Sequence, residues 1–322
     1  MLTNLILIIV GLAGLFFGGD WLVTGASRLA RSFGISALIV GLTVVAFGTS
    51  APELLVSVQA VLEGSGDLSV GNIIGSNISN IGLILGLTSL IFPVFVQAQL
   101  IRREIPIMIF ASLVTVFFVS DGVIQRTDGI ALLGMFVAFN LYMGYLTLQE
   151  RHEHQEEIEA GVEQEPDPDL IPPEQRLREV GRLVLGLIVL VIGARLTITG
   201  ATAVAREIGV SELVIGVSLV AVGTSLPELA TAMVASFRKE NDIALGNIVG
   251  SNIFNLLLIL GITATTKPLT IPDRVLGFDI VVMMFFSLAL LPLAMTDRKI
   301  SRTEATIMFS LYIAFIVFVF IL

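Results

Sequence analysis

Ten long apolar runs cover most of this sequence, and they constrain its fold more than any other feature. They lie near residues 3–25, 36–62, 69–92, 105–120, 128–148, 183–205, 211–237, 243–264, 276–295 and 304–322. A run of about 20 apolar residues is long enough for a helix to cross the hydrocarbon core of a bilayer. The sequence therefore predicts an all-α integral membrane protein with ten transmembrane helices.

The composition agrees with a membrane protein and excludes other classes. Hydrophobic residues make up 55% of the chain and charged residues only 14%, against roughly 25% charged residues in soluble domains. Much of the net charge of −9 comes from residues 150–182, which hold 11 acidic and 4 basic residues. The lipid bilayer is an expected partner and nucleic acid is not. The chain has no cysteine, which excludes disulfides, thiolate nucleophiles and cysteine metal sites.

The flanks of the apolar runs predict the location and orientation of the chain. The first run carries Asp20, lacks a basic segment before it and lacks a cleavage site after it, so we interpret it as a first span. No organelle leader is visible, and the cell membrane is the expected location. One orientation places 13 Lys and Arg residues in inner loops and 4 in outer loops. Because inner loops carry more basic residues, we expect both termini outside and residues 150–182 in the cytoplasm.

The two halves of the chain are copies of one unit. A shift of 175 positions aligns residues 34–93 with 209–268 without a gap, and 28 of the 60 positions are identical. A first five-span repeat over 1–149 is thus followed by an acidic cytoplasmic linker, 150–182, and a second five-span repeat over 183–322. Because five is odd, the second copy enters the membrane from the opposite face. Two inverted five-helix repeats are typical of secondary transporters.

The linker is rich in Glu, Asp and Pro, a composition that predicts disorder. His152 and His154 are the only histidines in the chain and fall within it. They could be regulatory metal ligands, but we favour a solvated face.

Apart from acidic residues within three positions of a run's end, three lie inside the apolar runs: Asp20, Glu53 and Glu228. A carboxylate in lipid is costly and indicates function unless it is paired. Asp20 aligns with Arg195 in the other repeat and is expected near a helix end, so we favour a structural role or interfacial exposure for it. Glu53 and Glu228 are repeat mates, and neither repeat core has a basic residue to neutralise them. A cation from solution is their expected partner.

A proline precedes each of these glutamates. Pro52 and Pro227 lack an amide hydrogen, and each displaces the carbonyl four residues earlier, at Gly48 and Gly223. The turns GTSAP and GTSLP are therefore expected to unwind and release main-chain carbonyls. Such backbone is tolerated in a membrane only where it is buried or lines a cavity. A plain proline kink is the alternative, but it does not explain why Thr, Ser and Glu accompany the proline in both copies.

The predicted ligands all carry oxygen, from carboxylate, hydroxyl or amide groups. They are Thr49, Ser50, Glu53, Ser76, Asn80, Thr224, Ser225, Glu228, Ser251 and Asn255, with Asn72, Asn77, Asn247 and Asn252 on the same helices. Oxygen ligands without nitrogen or sulfur favour hard ions such as calcium and sodium over zinc, copper or iron. The glycines of GNIIG and GNIVG have the GxxxG spacing of close helix packing.

The motifs GTSAPE with GNIIGSNISN, and GTSLPE with GNIVGSNIFN, resemble the two alpha repeats of the calcium/cation antiporter superfamily. The likeness is greatest to its prokaryotic sodium/calcium exchanger branch and covers essentially all ten runs. It implies that calcium and sodium share Glu53 and Glu228. It further implies main-chain ligands at Ala46, Thr49, Ala221 and Thr224, hydroxyl ligands at Ser50, Ser76, Ser225 and Ser251, and flanking positions at Asn80 and Asn255. Potassium-dependent relatives carry Asp at the last position, so Asn255 implies a potassium-independent exchanger.

The resulting hypothesis is secondary active antiport of sodium against calcium by alternating access. Two carboxylates are neutralised by one Ca²⁺ or two Na⁺, and a near-neutral loaded site crosses the membrane interior at least cost. Calcium and sodium are then transported ions, and no resident cofactor is expected. A divalent cation/proton antiporter is the nearest alternative, and a passive cation channel is a weaker one. An enzyme is not expected, since no His or Cys lies in any span and no P-loop lysine is present.

Overall fold

A computed structural model describes residues 1–159, 172, 175–209 and 221–321 of the chain. This part is almost entirely helical. Its helices are α1 (Leu2–Phe33), α2 (Ala37–Thr49), α3 (Ala51–Leu62), α4 (Gly66–Ile91), α5 (Ile105–Val119), α6 (Arg126–Glu159), α7 (Arg176–Glu207), α8 (Ala221–Thr224), α9 (Leu226–Phe237), α10 (Asn241–Thr266), α11 (Val275–Met295) and α12 (Arg302–Ile321).

The helices follow the apolar runs. Within the described residues seven helices are long and apolar enough to cross a membrane, and the bent pair α2 and α3 brings the number to eight. α9 is apolar but shorter, and α5 has 15 residues. Much of the seventh run, residues 210–220, lies outside the described residues. The structure is therefore that of an all-helical, multi-span membrane protein.

α4 and α10 form the centre of the molecule. In their most apolar stretches 78% and 94% of residues are buried, against 17% for α12. Both are rich in Gly, Ser and Asn, and these small residues let neighbouring helices approach closely. A Cβ built on Gly246 of α10 would lie 2.8 Å from the Leu38 carbonyl oxygen of α2. The polar motifs GNIIGSNISN and GNIVGSNIFN thus lie on the most buried helices of the fold.

α1 and α7 pack against each other along most of their lengths and run antiparallel. A Cβ on Gly11 would lie 2.7 Å from the carbonyl oxygen of Gly193, and one on Gly18 would lie 2.8 Å from that of Gly186. Gly11 and Gly186 are related by the 175-residue shift, and so are Gly18 and Gly193. α1 and α7 are repeat mates. They therefore contact each other through equivalent glycines while running in opposite directions.

Four two-residue strands connect the halves. β1 (Val94–Phe95) pairs with β4 (Lys299–Ile300), and β2 (Val123–Ile124) pairs with β3 (Leu269–Thr270), both antiparallel. A shift of 175 positions relates β1 to β3, and a shift of 176 positions relates β2 to β4. Each half thus contributes one strand to each pair.

Within the described residues, five π-helical turns lie in or beside the helices. They span Gly41–Val45, Asn80–Leu85, Leu100–Glu104, Phe254–Ile259 and Val275–Asp279. Such turns add one residue to a helical turn and frequently occur at functional sites. Two of them contain the predicted ligands Asn80 and Asn255.

The acidic segment differs from the expectation of disorder at both edges. α6 continues to Glu159 and α7 begins at Arg176, so helix covers both ends of the 150–182 range. Glu179 explains part of this, because its carboxylate pairs with Arg182 at 2.8 Å and with Arg28 of α1 at 3.3 Å. Residues 160–171, 173 and 174 lie outside the described residues, so disorder there stays a prediction.

Candidate functional site

A bend between α2 and α3 positions Glu53. The two helices meet at 43°, and Ser50 between them has φ −83° and ψ 4°. Pro52 is the second residue of α3 and has no amide hydrogen to donate to the Gly48 carbonyl, so the helix cannot continue unbroken. Glu53 lies in the first turn of α3, where the partial positive charge of the helix N-terminus favours an acidic group.

The second copy has the same construction. α8 ends at Thr224, Ser225 has φ −88° and ψ 4°, and α9 begins at Leu226 with Pro227 in its first turn. Glu228 follows in that turn. Two short helices therefore begin at the same region with an acidic residue at each N-terminus.

Two reciprocal hydrogen bonds join the proline motifs. The Ser50 hydroxyl donates to Glu228 Oε1 at 3.2 Å, and the Ser225 hydroxyl donates to Glu53 Oε1 at 3.4 Å. Each serine thus contacts the glutamate of the other copy. The four side chains meet although they are far apart in sequence.

Both glutamates are buried without a basic partner. Each is 1% exposed, and in the described part of the chain neither forms an ion pair. One carboxylate oxygen of each, Oε2, also has no hydrogen-bond partner among these residues. A buried, unpaired carboxylate is costly, and a bound cation removes that cost. These orphaned oxygen atoms fit a cation as cargo.

The second pair of motifs supplies further buried oxygen atoms on helices that pack against those carrying the glutamates. Ser76 and Asn80 of α4, and Ser251 and Asn255 of α10, are all at most 4% exposed. The Ser251 hydroxyl and the side-chain oxygens of Asn80 and Asn255 have no partner in the described structure. α4 packs against α3, and α10 packs against α9. Uncharged oxygen donors beside two carboxylates suit calcium and sodium.

The threonines and the main-chain positions contribute differently. The Thr49 hydroxyl donates to Asn247 Oδ1 at 2.9 Å, so this hydroxyl already has a partner. The carbonyl of Ala46 accepts a hydrogen bond from the Ser50 amide at 3.0 Å, and the Thr49 hydroxyl oxygen lies 3.4 Å from it. That carbonyl keeps its helical hydrogen bond and has a second lone pair for an ion, so its role as a ligand stays a prediction. In the second copy the backbones of Ala221 and Thr224 form α8, and Thr224 is half-buried.

Asn252 is a supporting residue, which the sequence analysis named only as lying on the same helix as predicted ligands. Its Oδ1 accepts a hydrogen bond of 3.0 Å from the Asn80 amide, and its own amide donates to Met108 Sδ at 3.4 Å. The first bond orients the Asn80 side chain, because it holds the amide nitrogen on one side and leaves Oδ1 on the other. The repeated SN of the motif was the available signal.

Three further buried acids escaped the sequence analysis because they lie at the edges of the apolar runs. Glu104 pairs with Arg103 and Glu179 with Arg182, and Asp279 lies 3.8 Å from Arg274. These pairings separate the three from Glu53 and Glu228. They are structural ion pairs, and none shares the hydroxyl and amide surroundings of the central site.

The expectations for Asp20 are corrected in part. It lies well inside α1, which extends to Phe33, and not near a helix end. Its carboxylate forms an ion pair with Arg238 after the end of α9. Arg195, with which it aligns in the repeat, is exposed on α7. A structural role for Asp20 agrees with this pairing.

The fold and the site together define a multi-span membrane protein with two paired halves and a buried, oxygen-lined pair of carboxylates, which is the construction of a cation transporter. The family model described as sodium/calcium exchanger protein matches residues 3–145 and 179–321. The chain belongs to this family, within the prokaryotic branch of the calcium/cation antiporter superfamily. It is a multi-pass cell-membrane antiporter and not an enzyme.

Relatives along the whole chain support this assignment. The inner membrane protein YrbG of Escherichia coli (strain K12) is 41% identical over 89% of this chain and 87% of its own length. The sodium/calcium exchanger MaX1 of Methanosarcina acetivorans is 32% identical over 99% of both chains. The structure of the sodium-calcium exchanger NCX_Mj soaked with 10 mM Na⁺ and zero Ca²⁺ is similar to this one with a TM-score of 0.80 and 33% identity, over 97% of both chains.

Proposed function

We propose that this protein exchanges sodium for calcium by alternating access and does not require potassium. The single observation that carries the proposal is the pair of buried glutamates, Glu53 and Glu228, held by reciprocal serine hydrogen bonds without a basic partner in the described structure. Sodium/calcium exchange is the activity in the names of the family, of MaX1 and of NCX_Mj.

The proposed architecture is ten transmembrane helices in two inverted five-helix repeats. Its support is the antiparallel crossing of the mates α1 and α7 and the exchange of strands between the halves. Five spans per unit require the second unit to have the opposite orientation. Inverted halves that meet at a central site allow alternating access, because each half can adopt the conformation of the other.

The proposed ligand set is the one that the motifs predict. It comprises Ala46, Thr49, Ser50, Glu53, Ser76, Asn80, Ala221, Thr224, Ser225, Glu228, Ser251 and Asn255. Glu53 and Glu228 supply the charge, and the serines and asparagines supply neutral oxygens. For Thr49 the main-chain oxygen is the proposed ligand, as the family resemblance implies, and its hydroxyl donates to Asn247.

The charge of the site explains obligatory exchange. The two carboxylates give the empty site a charge of about −2. That charge strongly disfavours moving the site through the low-dielectric interior. One Ca²⁺ or two Na⁺ neutralise that charge. The protein then changes from one access state to the other only when ions are bound at the site. One kind of ion is released on one side of the membrane, and the other kind is carried back.

The neutral residues of the site favour sodium over protons and argue against potassium dependence. Four polar side chains without charge, Ser76, Asn80, Ser251 and Asn255, can coordinate a sodium ion but cannot carry a proton at neutral pH. Asn255 stands where the potassium-dependent relatives have Asp. The excess of basic residues in alternate loops further supports termini outside and the acidic linker in the cytoplasm.

The experiment that tests this proposal is calcium uptake by the purified protein in liposomes. Outward gradients of sodium, potassium or protons are imposed separately. We expect the sodium gradient alone to drive uptake, with Glu53→Gln inactive and Asp273→Asn, at an exposed position, active. Uptake driven by a proton gradient identifies a proton antiporter, and calcium flux without any counter-ion identifies a channel; either result contradicts the proposal.

A further inference from the structure

One ion pair connects α1 to the end of α9. Asp20 and Arg238 form it although they are 218 positions apart in sequence. Their side chains are 23% and 41% exposed. The pair therefore joins the α1 and α7 crossing to the helix that carries Glu228.

The repeat mates of these two residues have exchanged charges. The shift of 175 positions places Arg195 at Asp20 and Glu63 at Arg238. An acid and a base are thus replaced by a base and an acid, so the attraction between the two positions is kept while both residue types change. Because the residue types differ between the copies, the opposite charges do not come from residues that the two repeats share.

Asp20 and Arg195 lie at different levels along the α1 and α7 crossing. Gly11 is level with Gly193 and Gly18 with Gly186, which places Arg195 about eleven residues from the level of Asp20. At 1.5 Å per residue this is roughly 16 Å along the helix axes. Asp20 and Arg195 are related by the same two-fold arrangement as the glycines.

Only one of the two pairs is formed in this structure. Glu63 accepts a hydrogen bond of 2.8 Å from Gln59, and among the described residues no ion pair links it to Arg195. The packing around the site turns also differs between the two copies. A Cβ on Gly48 would first meet Leu187 of α7, and one on its mate Gly223 would first meet Ile198, also of α7.

We propose that Glu63 and Arg195 form the ion pair that holds the opposite access state, in alternation with Asp20 and Arg238. This inference rests on the proposed alternating access of inverted repeats. When the halves exchange conformations, the mates of a contacting pair come into contact, and the mates of Asp20 and Arg238 carry the charges to attract each other. Partly exposed ion pairs are individually weak, so either one can open during a transport cycle.

Cysteine cross-linking tests the alternation directly, because the chain contains no cysteine. The variants are Glu63→Cys with Arg195→Cys, Asp20→Cys with Arg238→Cys, and all four together, in the full-length protein in liposomes. We expect both pairs to cross-link with a short bifunctional thiol reagent, and each cross-link to stop calcium uptake until it is reduced. In the fourfold variant, intact-mass measurement should show one cross-link per molecule. Absence of the 63–195 cross-link under all ion conditions, or two in one molecule, overturns the proposal.

Charge exchange supplies a second test with a matched control. Glu63→Arg is expected to lower sodium-driven calcium uptake about fivefold and to leave equilibrium calcium binding unchanged. Adding Arg195→Glu should restore uptake, whereas Asp67→Asn, an exposed acid nearby in sequence, should have no effect. Wild-type uptake under each gradient is measured in parallel. Wild type without sodium-driven uptake counts against the proposed function, whereas active wild type without rescue counts against the ion pair alone.

Discussion

The hydroxyl of Ser50 donates a hydrogen bond of 3.2 Å to Glu228, a residue 178 positions further along the chain. The bond leaves the second carboxylate oxygen of Glu228 without a partner in the described structure. The mate bond from Ser225 to Glu53 has the same consequence. Each glutamate is therefore held by one oxygen and offers the other to a cation.

Neutralising either glutamate should abolish transport and keep the fold. Glu53→Gln or Glu228→Gln removes half of the site charge, but it also removes an unpaired buried charge whose burial costs several kcal/mol. We expect no sodium-driven calcium uptake and an equal or higher melting temperature without ions. Saturating calcium should stabilise the wild type, by about 2.7 kcal/mol at 100 times Kd, and should not stabilise the variants. Calcium stabilisation of both variants would contradict the assignment.

Ser50→Ala and Ser225→Ala should have equal effects. Each removes one hydroxyl that contacts the opposite glutamate, and a hydrogen bond to a charged group contributes about 1.5–3 kcal/mol. We expect calcium affinity to fall at least about tenfold in each variant, since 1.4 kcal/mol corresponds to a factor of ten. Ser120→Ala is the control, because the exposed Ser120 donates only to the Phe117 carbonyl. Strongly unequal effects would speak against a shared, two-fold site.

Asn252 should act on calcium binding through Asn80. Asn252→Leu removes the acceptor that holds the Asn80 amide, so the Asn80 side chain is free to turn its oxygen away. We expect weaker calcium binding in Asn252→Leu, and little further loss when Asn80→Ala is added, because residues in direct contact are coupled. Asn140→Ala, at a half-buried asparagine on α6 that donates to the Phe136 carbonyl, is the control. Additive losses in the double variant would indicate that Asn252 acts independently of Asn80.

A third carboxylate at Asn255 should change the ion requirement. Asn255→Asp leaves a charge of −1 when one Ca²⁺ is bound, so a further monovalent cation is needed to neutralise the site. We expect calcium uptake by this variant to be stimulated by potassium, whereas the wild type is indifferent to it. Asn140→Asp on α6 is the matched control for an added charge. Equal potassium responses of Asn255→Asp and the wild type would remove the argument for potassium independence from this position.

Hydrophobicity and the repeat predicted much of the fold, because both are local or periodic properties of the sequence. Every apolar run lies on helix where the structure describes it, and the proline motifs mark the bend at Ser50. The prediction of disorder from the Glu, Asp and Pro content of 150–182 was wrong at residues 150–159 and 176–182, where the structure has helix. α6 and α7 continue because charged residues are compatible with helix outside the apolar region, as the Glu179 and Arg182 pair illustrates.

The partners of the polar residues could not be predicted, because they depend on how helices cross. Asp20 aligns with Arg195 in sequence but pairs with Arg238, a contact that only the packing of α1 against α9 creates. The hydrogen bonds from the serine of each motif to the glutamate of the other motif have the same origin.

The glycine contacts between α1 and α7 should be essential for stability. A Cβ on Gly186 would lie 2.5 Å from the Leu22 amide nitrogen, and backbone on both sides leaves no flexible atom to move. Gly186→Ala should therefore separate the helices and lower the free energy of unfolding by about 1–3 kcal/mol, measured by thermal unfolding in detergent. Gly181→Ala on the same helix meets nothing within 4 Å and should be neutral or stabilising, since alanine favours helix over glycine by about 0.5–1 kcal/mol. Equal melting temperatures for the two variants would show that this crossing can open at little cost.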